Sequence, residues 1–329
     1  MADTQASPAS TDPRDAVFDV TGVTDGLTGK TGRSASTVLL FAVLRIFVAL
    51  GTTAVLARLV GPEEQGIFAL AMPAVLITAA MSEFGLPQAI VQRPHETHKL
   101  ASSLMWIGIA VGLVIMGGVV LLAQPAARFF DVPEVSTVFV VLSPYVFLSV
   151  LTAQYVALLR RQMRIREIEY ATLGATILAS LLAIAAAWKG AGYWALAIQL
   201  LCAEFFNLIC LLAITRWLPS SPLSCRFCEA RAALSFGGFL AAERLLAEFT
   251  RNMQLLVIGR AFTSVEAGLF YRAQSVTLLP QRRILSPLSG AFLPSLSRLQ
   301  NDAEAFREMY VRQVSRGNLI MVFVSLVLC

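Results

Sequence analysis

The feature that most limits how this chain can fold is a series of long apolar runs that recur along almost its whole length. A helix needs about 20 apolar residues to cross a hydrocarbon core of roughly 30 Å. Hydrophobic residues make up 57% of the 329 residues and charged residues only 14%, whereas about 25% of the residues are charged in a typical soluble domain. The runs leave no space for a large water-soluble domain, so the sequence predicts an all-α polytopic membrane protein.

Nine of these runs are predicted to be transmembrane helices. They occupy residues 37–59, 66–91, 101–123, 135–159, 168–188, 193–214, 234–258 and 267–293, with a ninth that begins near Val314. The first six form a lobe at residues 37–214, which is followed by a cytoplasmic connector at 215–233 and a partial second lobe at 234–329. Residues 1–33 are rich in Ser, Thr, Asp and Gly and are predicted to form a disordered cytoplasmic tail. The ninth run is too short to cross a membrane, so the second lobe is expected to be truncated.

A repeated segment explains the division into two lobes. The stretch RLVGPEEQGIFALA at residues 58–71 returns 202 positions later as RAFTSVEAGLFYRA at residues 260–273, with five of fourteen positions identical. In each copy an apolar run ends, a short charged turn follows and a second apolar run begins, which favours an internal duplication. The turns contain Gly61, Pro62 and Gly66 in the first copy and Gly268 in the second. These residues are predicted to form hinges between paired helices, with plain tight turns as the alternative.

The distribution of Lys and Arg predicts the orientation of the chain in the membrane. Basic residues are concentrated in the tail and in every second loop, while the intervening loops hold one each: Arg58, Arg128, Lys189 and Arg260. Short loops rich in Lys and Arg stay on the cytoplasmic side, so the N-terminus is predicted to be cytoplasmic. Because six helices precede the connector, the second repeat enters the membrane in the same direction as the first. The substrate path is then expected between the two lobes.

Charged residues inside the apolar runs are the candidates for a functional site. Each costs on the order of 2.5 to 3.5 kcal/mol at a helix centre unless it faces protein or water. Arginines outnumber glutamates there and no Asp is present, which predicts a cationic cavity suited to an anionic substrate. The predicted lining of this cavity consists of Arg45, Arg244, Arg251, Arg272 and Arg283.

Two alternatives to this cavity stay open. Arg45 can snorkel to the cytoplasmic surface, as long basic side chains do. The seventh helix carries Arg244, Glu248 and Arg251 on one face, and these charges can neutralise one another as a ladder without any ligand.

Three glutamates in the apolar runs are candidates for ion coupling: Glu83, Glu204 and Glu248. A proton or cation bound at such a carboxylate would bias the lobes between inward-open and outward-open states. For Glu83, simple pairing with a neighbouring basic residue is also open.

No enzymatic, metal or nucleic-acid signature stands out. The chain has no GxGxxG, P-loop or GxSxG motif, and no carboxylate pair in a wet loop, so neither an enzyme nor a cofactor is expected. The HETH motif, with His95 and His98, lacks a third ligand, so no metal site is predicted. The Arg-rich loop at 160–166 lacks interleaved aromatic residues, which favours lipid headgroups over nucleic acid.

Four segments carry a resemblance to a known family: LARLVGPEEQGIFALA at 56–71, FGLPQAIVQR at 84–93, LLVIGRAFTSVEAGLFYRAQ at 255–274 and FLPSLSRLQND at 292–302. From about Val38 onward the chain resembles the polysaccharide transporter (Wzx-type) family of lipid-linked oligosaccharide flippases, in the superfamily of the multidrug and toxic compound exporters. The resemblance implies two six-helix lobes around a cationic cavity that opens alternately to each side of the bacterial plasma membrane.

The resemblance also implies a substrate and partners. The substrate would be an anionic, undecaprenyl-pyrophosphate-linked sugar unit for lipopolysaccharide, O-antigen or exopolysaccharide biosynthesis. The expected partners are membrane lipids and a polysaccharide polymerase or other assembly proteins. Two rival interpretations are a multidrug-exporter-type cation antiporter, which Arg45 disfavours, and a non-transporting membrane assembly subunit, which should tolerate the loss of Arg244 and Arg251.

Overall fold

The computed structural model describes residues 27–83, 98–162, 164–220 and 227–280, together with positions 311 and 315. The four described ranges contain eight α-helices and no strand, which confirms the predicted all-α fold. In chain order the helices are α1 (Leu27–Leu59), α2 (Pro62–Glu83), α3 (His98–Phe130), α4 (Glu134–Arg161), α5 (Ile165–Trp188), α6 (Trp194–Thr215), α7 (Phe227–Ala261) and α8 (Ser264–Pro280). The predicted ninth helix, residues 84–91 of the second and the second half of the eighth lie outside the described residues.

Five of these helices, α2 to α6, are long and apolar enough to cross a membrane by length and composition. This confirms the prediction of a multi-pass membrane protein. The other three helices, α1, α7 and α8, contain most of the predicted cavity arginines, including Arg45, Arg251 and Arg272. The charges that need an explanation therefore lie mainly in these three helices.

The helices end where the backbone takes a conformation that a helix cannot continue. Between α3 and α4, Asp131 has φ 58° and Pro133 is the N-cap of α4. The turn between α5 and α6 contains Gly190 and Gly192, both with positive φ, which glycine adopts without steric cost. At the end of α6, Arg216 takes the left-handed conformation and its N–H donates to the Leu212 carbonyl.

Most observed helix ends lie within a few residues of the predicted ones, but α1 and α7 begin earlier. Helix α1 starts at Leu27, inside the segment 1–33 that was predicted as a tail, and α7 starts at Phe227, inside the predicted connector 215–233. Hydropathy marks only the part of a helix that crosses the hydrocarbon. A polar helix that continues into water gives no such signal.

Helix α2 is the centre of the packing. It contacts α3 and α4 of the first repeat and α7 and α8 of the second. The largest buried cluster follows this pattern, since Leu70 and Val75 of α2 share it with Leu142 of α4, Leu255 of α7 and Ala267 of α8. Helix α1 packs mainly against α5, through a separate cluster. The second repeat thus joins the core of the first through α2.

Candidate functional site

The two copies of the repeat form the same local structure. In the first, Gly61 is the residue before α2, and its N–H donates to the Glu64 carboxylate at 3.4 Å. In the second, Thr263 is the residue before α8, and its N–H donates to the Glu266 carboxylate at 2.9 Å. A glutamate at the third helical position that reaches back to the N-cap N–H is one half of a capping box. The repeat therefore has a glutamate at both positions because each one caps the start of its helix.

The glycines of the repeat mark the place where the two copies touch. A Cβ at Gly66 would overlap the backbone of Ser264, and a Cβ at Gly268 would overlap the backbone of Pro62. Only glycine allows main chains to approach so closely. Of the four predicted turn residues, the structure brings Pro62, Gly66 and Gly268 together at one point. Gly61 caps α2 beside them, and the hinge role stays a prediction.

Arg272 reaches from the second repeat to the first. Its Nε donates to the Gln65 side-chain oxygen, and its Nη2 donates to the Val60 carbonyl at 2.7 Å. The Gln65 amide nitrogen in turn donates to the carbonyls of Leu56 and Val60, at 3.3 and 3.4 Å. These carbonyls belong to the C-terminal end of α1, where the helix dipole favours a cation. The guanidinium is thus bound through one edge, formed by Nε and Nη2.

Arg45 is paired inside the first repeat. Its Nη2 lies 3.2 Å from Glu169 Oε2 of α5, and each side chain is only 14% exposed. The Nε of Arg45 is buried and has no hydrogen-bond partner among the described residues. Breaking a buried ion pair on one side leaves an uncompensated charge, which is strongly unfavourable. Arg45 therefore lies in protein, beside a carboxylate that neutralises it.

Arg251 has a different environment. Its Nη1 lies 2.7 Å from Glu248 Oε1, one turn earlier on α7, and its side chain is 57% exposed. Asn252 also donates to the Glu248 carboxylate, at 3.2 Å. Two of the three residues of the predicted charged face, Glu248 and Arg251, therefore form an ion pair. Because the Arg251 side chain is exposed, a ligand can reach its guanidinium without displacing the described residues around it.

The remaining predicted residues are only partly described. Glu204 lies on α6 and is half-buried. Arg244 lies on α7 and Glu83 ends α2, but their side chains lie outside the described residues, as does the whole of Arg283. Three of the predicted cavity arginines have described side chains: Arg45, Arg251 and Arg272. Each of them contacts a different set of helices. The side-chain contacts of the described residues do not gather them into one cluster.

Two residues of this site were missed by the sequence analysis. Glu169 lies in the first turns of the fifth apolar run, and the search for charges inside such runs that selected Arg45 also applies to it. Gln65 lies in the repeat at a position where the second copy has Ala267. A comparison of the mismatched positions of the repeat, and not only the identical ones, would have drawn attention to it.

In the described part of the chain the arrangement offers cationic and hydrogen-bonding groups. Among the described residues, no group of three or more His, Cys, Asp or Glu side chains can hold a metal ion. Guanidinium groups pair well with carboxylates and phosphates. The apolar helices and the repeated turn define an all-α, polytopic membrane protein with an internal repeat.

Comparison with known proteins identifies the family. A family profile described as "Polysaccharide biosynthesis protein" matches residues 55–329, and the chain belongs to this family. The match includes both copies of the repeat and every predicted cavity residue except Arg45.

Individual relatives come from several bacteria. The succinoglycan biosynthesis transport protein ExoT of Rhizobium meliloti is 27% identical over 253 residues, which are 77% of this chain and 51% of that protein. The lipopolysaccharide biosynthesis protein WzxC of Escherichia coli is 21% identical over 88% of this chain and 59% of its own length. The teichuronic acid biosynthesis protein TuaB of Bacillus subtilis is 21% identical over 72% of this chain and 49% of its own. The chain spans about half the length of the relatives it matches. No solved structure matches it significantly.

Proposed function

We propose that the chain is part of a transporter that moves lipid-linked, anionic polysaccharide building blocks across the bacterial plasma membrane, with its N-terminus in the cytoplasm. The names of the relatives support a role in polysaccharide biosynthesis, and one of them is called a transport protein. These relatives serve three different polymers, so the common element is the class of substrate. The proposal includes no enzymatic step.

The observation that carries the proposal is the packing of the second repeat onto the first. Helices α7 and α8 contact α2, and the two copies of the repeated turn meet at Gly66 and Gly268. In transporters built from parallel repeats, the substrate path runs between the halves, and transport follows from rocking of one half against the other. The proposed path lies along this contact, and it opens alternately to each side of the membrane.

The proposed headgroup ligands are arginines. A pyrophosphate cannot enter hydrocarbon without a compensating charge, and guanidinium binds phosphate through two parallel hydrogen bonds. Arg45 is buried beside Glu169, so an arriving anion would compete with that carboxylate for the guanidinium. Arg251 is exposed but paired with Glu248, so an arriving anion would compete with that carboxylate as well. Arg244, Arg272 and Arg283 stay predicted ligands, and Glu83, Glu204 and Glu248 stay predicted coupling residues.

A deletion experiment tests the proposal. The full open reading frame that encodes these residues is deleted in the bacterium that carries it, and both surface polysaccharide and lipid-linked sugar units in the membrane are measured. We expect loss of the polymer together with accumulation of lipid-linked units, and recovery of both when the reading frame is returned. An unchanged polymer contradicts the proposal. Loss of the polymer without accumulation also contradicts it, and favours an assembly subunit.

A double variant tests the role of Arg45 without leaving a buried charge unpaired. Arg45→Gln combined with Glu169→Gln removes both charges, so the protein should still reach the membrane at its normal level. We expect it to fail to restore the polymer. The matched control is Arg128→Gln, which changes an exposed arginine at the end of α3 and should restore the polymer fully. Full activity of the double variant would remove Arg45 from the proposed ligands.

A further inference from the structure

The two repeated turns are paired in a reciprocal way. Gly66 lies against the backbone of Ser264, and Gly268 lies against the backbone of Pro62. Ser264 and Gly268 stand 202 positions after Pro62 and Gly66, so the two contacts are one contact with the copies exchanged. Such exchange is the mark of a two-fold axis. The axis that relates the repeats therefore passes between α2 and α8 at their N-terminal ends.

The contact at this axis combines main-chain and apolar contacts. At Gly66 and Gly268 main chain meets main chain. The surrounding contacts are apolar: Ala267 is fully buried, and the rings of Phe68 and Tyr271 meet edge to face with their centres 6.3 Å apart. Burial of these apolar groups favours the closed contact.

One polar contact breaks the symmetry and adds to the stability of the closed arrangement. Arg272 of the second repeat donates to Gln65 and to the Val60 carbonyl of the first. Its counterpart in the first repeat is Leu70, and the counterpart of Gln65 is Ala267, so this contact occurs once. Gln65 is itself buried and held by the end of α1. The guanidinium thus joins α8 to both helices of the first hairpin.

We propose that Arg272 and Gln65 form a latch that holds the two turns together and closes the passage between the repeats at this end of the bundle. To open that end, Arg272 must leave Gln65 and Val60 while the glycine contact parts. The structure is the latched arrangement. In naming a passage, this inference rests on the proposed function, but the latch itself can be measured without any transport.

The test measures how often this end opens. Ala267→Cys places a thiol at a fully buried position beside the latch, and Ala179→Cys places one at an equally buried position on α5. Each is introduced into the full reading frame after the native cysteines have been replaced by alanine. The purified proteins are placed in lipid nanodiscs, and the rate of maleimide labelling is measured with and without Arg272→Leu or Gln65→Leu.

We expect either latch variant to accelerate labelling of Ala267→Cys by about tenfold, the scale expected from the loss of hydrogen bonds to a charged group. The two variants together should have little more effect than one, because they remove the same contact. Arg272→Lys, which keeps the charge but lacks the planar guanidinium, should give an intermediate rate. Labelling of Ala179→Cys should not change.

Two results would overturn the latch. In the first, labelling of Ala267→Cys is the same with and without the latch residues. In the second, both cysteines react faster to the same degree, so that the variants loosen the whole protein instead of opening one end. Nanodisc labelling needs no substrate. If the latch variants accelerate labelling while deletion of the reading frame leaves the surface polysaccharide unchanged, the latch proposal holds and the proposed function fails.

Discussion

The two copies of the repeated turn have the same backbone but achieve it with different residues. In the second copy, Thr263 completes the capping box: its N–H and hydroxyl both donate to Glu266, at 2.9 and 3.0 Å, and the hydroxyl accepts from the Glu266 N–H. In the first, Gly61 has no side chain to accept a bond, and only its N–H donates to Glu64, at 3.4 Å. Pro62 partly compensates, because a proline at the first helical position has no N–H to satisfy.

Where the copies touch, the backbone features match and the polar side chains do not. Gly66 and Gly268 are identical and make the same contact. Arg272 is opposite in character to its counterpart Leu70, and the same holds for Gln65 and Ala267. The two glycines that allow the close contact are therefore the same in both copies, whereas the polar residues that join the repeats differ from their counterparts.

The largest effect is expected from filling the shared contact. Gly66→Leu and Gly268→Leu should each lower the free energy of unfolding by about 3 kcal/mol, because the new side chain would meet a backbone that cannot move aside. The measurement is thermal or denaturant unfolding of the purified protein in detergent. If the contact is symmetric, the two variants should lose equal stability.

The matched control for these variants is Gly51→Leu, since a Cβ at Gly51 meets nothing within 4 Å. It should leave stability unchanged or raise it slightly, because leucine is the better helix former. If Gly51→Leu is as harmful as Gly66→Leu, the close approach of the repeats is not the cause. If only one of the two contact variants is harmful, the contact is not reciprocal.

The next effect tests the divergent part. Arg272→Leu should cost about 2 kcal/mol of stability, since a hydrogen bond to a charged group contributes roughly 1.5 to 3 kcal/mol. Arg272→Lys should lose about half as much, because an ammonium group cannot bind Gln65 and Val60 through one rigid edge. The same unfolding assay serves here, with exposed Arg128→Leu as a control that should stay within about 0.5 kcal/mol. A loss no larger than that of the control would mean that the divergent residues do not join the repeats.

The sequence predicted the membrane fold, most helix ends and the duplication itself. Long apolar runs are a local signal for the membrane helices, and identity between two segments is the signal for the duplication. The positions Gly66 and Gly268 were also found, since identity between the copies drew attention to them. Identity between the copies did not explain why both positions are glycine. The explanation is the close approach of two main chains, which depends on how α2 and α8 cross.

The partners of the charged residues were harder to predict. Arg45 was selected as a charge in an apolar run, but its partner Glu169 is more than a hundred residues away on α5. Arg272 was likewise selected, while Gln65 carries no charge and differs from its counterpart Ala267, so neither the search for charges nor the search for identity selected it. Pairing within one helix was simpler, and the spacing of Glu248 and Arg251 was sufficient to place them together. Contacts between helices depend on tertiary packing, which spacing in the sequence does not contain.

A smaller effect separates the two capping boxes. Glu266→Ala should cost about 1 kcal/mol and Glu64→Ala about half of that, because the second box has more and shorter hydrogen bonds. Hydrogen exchange of the backbone amides at 261–268 and at 59–66 would show the difference as faster local opening. Equal effects would mean that Thr263 adds nothing to the cap. Thr263→Gly, which gives the second copy the residue of the first, should remove the difference between the two glutamate variants.

The smallest effect on stability is expected at a charge pair that only the second repeat has. The counterparts of Glu248 and Arg251 in the first repeat are Ile46 and Ala49, so this pair belongs to the divergent part. Because the arginine is 57% exposed, Arg251→Gln should change the free energy of unfolding by only about 0.3 kcal/mol. If Arg251 binds the headgroup, the same variant should nevertheless reduce the surface polymer severalfold. An unchanged polymer with unchanged stability would leave the pair as a solvated ladder, whereas a large loss of stability would show that the exposed pair holds the repeat together.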